Sequence, residues 1–216
     1  MTLLKLNSIY YKDILKNINL DINNGDYFSI IGPSGSGKST LLKLCSNLIS
    51  SSSGDIIYKD KNITDYSPME YRKQVAYCFQ TPYLFGDKVI NNLTFPFNIR
   101  NIVPDKKLIS KYLEMFNLDE EILNKENKNL SGGEKQRISL IRTLLCKPEI
   151  LLLDEVTSAL DAENTQIVEE VVKKLNKDGI TILWVTHNLE QSKKNANKLL
   201  TIEAGEIKSL EVIDNG

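Results

Sequence analysis

The stretch Gly32-Pro33-Ser34-Gly35-Ser36-Gly37-Lys38-Ser39-Thr40 constrains this chain more than any other. It fits the pattern G-x-x-x-x-G-K-[ST]. It follows the apolar run Tyr27-Phe28-Ser29-Ile30-Ile31 and precedes Ser39 to Leu48, where a helix is expected. Strand, glycine loop and helix in that order suit a phosphate cradle. The glycines let the backbone curl so that several N–H groups point at a β-phosphate. The helix N-terminus adds favourable partial positive charge. Lys38 is expected to reach the β- and γ-phosphates, and the Ser39 hydroxyl to bind Mg²⁺. A glycine turn without a ligand is the plainer alternative, and the agreement of motif with context argues against it.

Two further apolar runs, Ile150 to Leu153 and Ile180 to Val185, are bounded by turn signals. Short continuous runs of this kind suit strands buried on both faces of a parallel sheet. Between them, Ile167, Val168, Val171, Val172 and Leu175 recur at helical spacing over Ala162 to Leu175. Leu3 to Tyr11, Leu15 to Ile22 and Asp55 to Tyr58 read as antiparallel strands bounded by Asn, Asp and Gly. The middle, from Thr81 to Leu145, reads as mostly helical, and Leu199 to Glu203 with Ile207 to Val212 as a hairpin turning at Gly205. The expected organisation is one domain over 1–216. Residues 1–80 and 146–216 form an α/β core with an antiparallel β subdomain, and 81–145 an inserted helical subdomain.

Asp154 and Glu155 end the run Ile150 to Leu153. In open α/β sheets ligands gather at the carboxyl ends of strands. Asp154 is expected to hold Mg²⁺ through its water shell, and Glu155 to accept a proton from an attacking water. The competing reading is an acidic cap on the next helix. His187 is the only histidine and follows another strand end. It is expected to bond a γ-phosphate and position water, although a lone histidine is more often structural. Leu130-Ser131-Gly132-Gly133-Glu134-Lys135-Gln136 offers a second hydroxyl and paired glycines at a helix start. One nucleotide needs one cradle, so a second suggests ATP shared between two chains. A Ser-capped helix would explain Ser131 and Glu134 as a capping box, but not the double glycine.

Composition narrows the partners. The chain has 216 residues and a formal net charge of -1, without the basic surplus expected of a nucleic-acid binder. Lys5, Lys12, Asp13 and Lys16 break any apolar stretch near the start, so no leader is expected. No run reaches the roughly 18 apolar residues of a membrane span, so a membrane role is expected to come through a partner. Cys45, Cys78 and Cys146 lack CxxC spacing and are expected to be reduced thiols.

Taken in order, these motifs resemble an ABC transporter nucleotide-binding domain over essentially the full chain. The resemblance implies a P-loop NTPase (RecA-like) core with an antiparallel β subdomain and an inserted ABC helical subdomain. It makes Gly32 to Thr40 the Walker A loop and Ile150 to Asp154 Walker B, with Glu155 catalytic. It makes Gln80 the Q-loop residue at ATP and Mg²⁺, and Ser158 to Asp161 the D-loop. It makes His187 the switch histidine, and Ser131, Gly132, Gly133 and Gln136 the signature that meets ATP in trans. For adenine stacking both Tyr10 and Tyr11 are candidates, with Tyr11 preferred; either could simply pack in its strand.

The same resemblance implies a homodimer closed by ATP and opened by hydrolysis, with a separate membrane permease coupled near Gln80. The chain would then sit in the cytoplasm, peripheral at the inner face of the membrane. Tyr71 to Pro82, Leu84 to Asp87, Asn92 to Pro96 and Leu183 to His187 look like the FetA-type ATPases. That group is associated with iron export through a FetB-type permease. The alternative is an ABC ATPase of the cell-division type, which transmits force without moving cargo. ABC proteins acting on ribosomes or DNA usually carry tandem domains or coiled-coil insertions, and neither is visible.

Overall fold

The computed structural model describes Met1 to Ile213, apart from the side chain of Leu189. Strands β1 (Thr2–Tyr11) and β2 (Leu15–Asn23) form an antiparallel hairpin. On β2 the side chains of Leu15, Ile18, Leu20 and Ile22 are buried and most residues between them are exposed, as a one-faced strand requires. The chain continues through β3 (Tyr27–Ile31) and α1 (Lys38–Cys45), then β4 (Ser53–Tyr58) and β5 (Lys61–Asn62). Strands β2, β1, β4 and β5 make one four-stranded antiparallel sheet in that order.

Next come α2 (Pro68–Gln74), β6 (Val75–Cys78), α3 (Val89–Asn98), α4 (Lys106–Met115) and α5 (Gly132–Leu144). The last part is β7 (Ile150–Asp154), α6 (Ala162–Lys177), β8 (Thr181–Val185), α7 (Leu189–Lys194), β9 (Lys198–Glu203) and β10 (Glu206–Val212). The second sheet runs β10-β9-β3-β8-β7-β6, and all its pairs are parallel except β9–β10. This is the P-loop NTPase arrangement expected, and the hairpin at Gly205 is present.

The parallel sheet divides two cores, which is why its strands read as unbroken apolar runs. On β7, Leu151 and Leu153 join a cluster with the helices α3 to α6, while Ile150 and Leu152 join the cluster under the antiparallel sheet and α1. On β8, Ile182 and Trp184 face the first cluster, and Leu183 and Val185 the second. A period of two thus sorts each strand between two interiors.

Local structure departs from sequence expectation at one helix end and adds a helix that had not been named. Helix α1 stops at Cys45, not Leu48, because Asn47 turns left-handed at φ 54°. Helix α3 falls in the stretch expected to be mostly helical, although Pro96 lies within it. The proline sits in the last turn, and burial of Val89, Leu93 and Phe97 holds the helix to the core. Helix α2 begins at Pro68, a residue preset for a first helical turn, a signal not used in reading the sequence.

Candidate nucleotide site

Strands β3, β8, β7 and β6 are parallel neighbours, so the loops after Ile31, Val185, Asp154 and Cys78 leave one edge of the sheet. That edge gathers Gly32 to Thr40, Glu155, His187 and Gln80. Lys38 is buried at 4% exposure, and its Nζ donates to the carbonyls of Gly32 and Pro33, both at 2.9 Å. Burial pulls its ammonium below the ordinary lysine pKa, while the nearby Glu155 and Asp154 oppose that shift. Ser36 Oγ is buried in the loop without a hydrogen-bond partner among the described residues.

The Asp154 carboxylate is gripped at both oxygens. Ser39 Oγ donates to Oδ1 at 2.7 Å, and Tyr77 OH donates to Oδ2 at 2.5 Å. Glu155 follows in a left-handed conformation at φ 50°, with its N–H bonded to Val185 O at 3.1 Å. That kink swings its side chain off the strand direction. His187 Nε2 meets Glu155 Oε1 at 2.6 Å, and Gln80 Nε2 donates to Oε2 at 2.9 Å. A cavity of about 260 Å³ lies between the phosphate loop and this group, with Ile14, Lys38, Glu155 and His187 among its walls.

The structure therefore brings together Gly32 to Thr40, Gln80, Asp154, Glu155 and His187. Tyr11 is not among the residues lining this cavity; its ring lies half-buried against the core under the antiparallel sheet. Ile14, which sequence reading passed over, occupies the rim. Ser131, Gly132, Gly133 and Asp161 lie outside the cavity as well. Ser131 caps α5 in a capping box with Glu134, as the plainer reading anticipated. Asp161 caps α6, and the N–H of Asn164 holds its carboxyl below the usual aspartate range.

Gln136, the fourth residue of the expected signature contact, is buried in the isolated chain. It is 3% exposed, and on α5 it stands on the side that also buries Leu140 and Leu144. A β-carbon on Gly133 would stand 2.7 Å from the Asn164 side chain, which would have to shift to admit it. One on Gly132 would meet nothing within 4 Å. Nothing in its own chain requires a glycine there.

Sequence reading also missed a polar hub behind His187. Gln191 Nε2 donates to Thr157 Oγ1 at 3.1 Å and to Glu169 Oε1 at 3.0 Å, and its Oε1 accepts from Thr186. Lys194 pairs with the nearly buried Glu169 at 2.9 Å. The hub ties the His187 loop to the loop after Glu155 along one wall of a cleft of about 770 Å³. No motif announces it, since its members are spread from 157 to 194.

The family profile described as ABC transporter matches residues 15–158. This chain belongs to the ABC transporter ATP-binding family. Like the cassettes of that family it binds nucleotide and hydrolyses ATP as the energising subunit of a transporter. It is similar to the probable iron export ATP-binding protein FetA of Escherichia coli (strain K12), 46% identical over 95% of this chain and 94% of that one. It is also similar to the methionine import ATP-binding protein MetN of Francisella tularensis, 38% identical over 94% of this chain and 61% of the relative. By their names these relatives serve opposite directions of transport. Among solved structures it resembles the dimeric post-hydrolysis ATP-binding cassette MJ0796 bound to ADP and Pi. The TM-score is 0.87 at 29% identity, covering 99% of this chain and 100% of that one. No helix among the described residues is long and apolar enough to cross a membrane.

Proposed function

We propose that this ABC ATPase drives a separate FetB-type permease in iron export, from the cytoplasmic face of the membrane. It acts there as a homodimer that ATP closes. The resemblance of its insert to the FetA-type ATPases supports this. The carrying observation for the chemistry is Glu155 held at one oxygen by His187 and at the other by Gln80.

In this reading Lys38 leaves the loop carbonyls for the β- and γ-phosphates, and the Gly32 to Thr40 backbone cradles them. Ser39, Asp154 and Gln80 present only oxygen ligands, a donor set that fits Mg²⁺. The ion, when bound, would neutralise charge on the β- and γ-oxygens. Glu155 accepts the proton of the attacking water, and His187 orients the γ-phosphate. Adenine is assigned to Tyr11, at the start of the loop that ends at Ile14 on the cavity rim. Ser131, Gly132 and Gly133 of one copy close over the ATP of the other. Gln136 is assigned to the same signature contact, and Asp161 carries the cap that holds Asn164 against Gly133.

Residues 81–145 are read as the subdomain that carries the permease groove, against 1–80 and 146–216 as the ATP-holding part. A groove of about 250 Å³ runs between them, with Phe79, Phe95, Pro96, Ile99 and Arg142 among its walls. Phe79 is 54% and Tyr83 71% exposed, a large apolar surface beside the Gln80 segment. A cytoplasmic helix of the permease fits such a groove.

Glu155→Gln tests the chemistry. Turnover should fall by roughly 10²–10⁴ while ATP binding persists, since only the proton acceptor is lost. Light scattering with ATP should then detect a dimer. Ordinary turnover together with a monomer would sink the assignment.

A further inference from the structure

The groove and the Asp154 carboxylate share one residue that no motif assigns. Strand β6 is the edge of the parallel sheet, and Tyr77 pairs there with Leu152 of β7. Asp154 lies two residues further along β7, so it points to the same face as Leu152 and Tyr77. The Tyr77 hydroxyl reaches Asp154 Oδ2 at 2.5 Å, while Ser39 holds the other oxygen. Two donors from separate elements thus fix the plane of one carboxylate.

The same tyrosine forms part of the groove wall. Its ring meets that of Phe79 edge-on, with centroids 4.7 Å apart and planes at 66°. Phe79 is mostly exposed in the groove and is followed by Gln80, which donates to Glu155.

We propose that Tyr77 is a positioning residue for Asp154 that links the orientation of this carboxylate to packing in the groove. The proposal rests on the reading that Asp154 orients Mg²⁺ at the nucleotide. A tyrosine kept only for packing would be matched by phenylalanine, which fills the same space and loses one hydroxyl. The two cases therefore differ in Mg²⁺ dependence, not in stability.

The test compares the full-length wild type with Tyr77→Phe, Phe79→Ala and Asp154→Asn. Binding of a non-hydrolysable ATP analogue in EDTA should stay within about twofold of wild type in Tyr77→Phe. The Mg²⁺ concentration for half-maximal hydrolysis should rise about tenfold, the scale of one hydrogen bond to a charged group. A second readout needs no turnover. In protein labelled with ¹³Cζ-tyrosine, the resonance absent from Tyr77→Phe should shift when Mg²⁺ is added to the analogue complex. Phe79→Ala should displace the same resonance and raise the Mg²⁺ half-point about twofold, which keeps the proposal testable if Tyr77→Phe folds poorly. An unchanged half-point and an unmoved resonance would overturn it. If Asp154→Asn also leaves Mg²⁺ dependence unchanged, the site reading fails first; if only the tyrosine variants are neutral, the role of Tyr77 fails alone.

Discussion

The chain holds two glycine-bearing loops at helix starts, and they are built differently. In the first, Gly32 and Gly37 have φ of 143° and 105°, which side chains disfavour. A β-carbon on Gly32 would stand 2.0 Å from Ile202 O, and one on Gly37 2.5 Å from Leu15. That loop takes its shape from the strands around it and is complete within one chain. In the second, Gly132 and Gly133 have ordinary helical backbone, and Ser131 and Glu134 close the helix end on themselves. Only Gly133 is pressed by a neighbour. The first loop's glycines answer to this chain, whereas Gly132 has open space around it.

The largest expected effect comes from forcing the first loop. Gly32→Ala should lower stability by about 3 kcal/mol or more, through overpacking against Ile202 and backbone strain. Denaturant melts would show it, and a near-neutral result would mean that the loop is not shaped by its neighbours.

A smaller effect is expected at Gly133→Ala, about 1–3 kcal/mol from the clash with Asn164. The double variant with Asn164→Ala should recover part of that loss, and strict additivity in the cycle would break the packing explanation.

The smallest stability effect, and the sharpest test of the comparison, is Gly132→Ala. Folding should be unchanged or improved by about 0.5–1 kcal/mol, as alanine suits a helix better. ATP-dependent dimerisation in the Glu155→Gln background should nevertheless be lost. A dimer that formed as before would return Gly132 to a chance glycine.

Much of the site lies in the sequence because its parts are local. The phosphate loop, Asp154-Glu155 and His187 each sit one to three residues past a short apolar run, and a strand of that kind is recognisable in isolation. The bounds of helix α3 were not legible, because the local cost of Pro96 is outweighed by burial of Leu93 and Phe97, which no window of sequence displays. The burial of Gln136 was likewise not legible, because motif membership says nothing of which way a residue on α5 faces.

The amino-acid order by itself determined the strands, the cradle and the family to which the chain belongs, since periodicity and backbone freedom act over a few residues. The tertiary structure decided the order of the strands and therefore which side chains meet. Tyr77 and Asp154 stand 77 positions apart, and Gln80 and Glu155 stand 75 apart. Their contacts exist because β6 pairs with β7 in one register, and that pairing is fixed by two cores packing on opposite faces of the sheet.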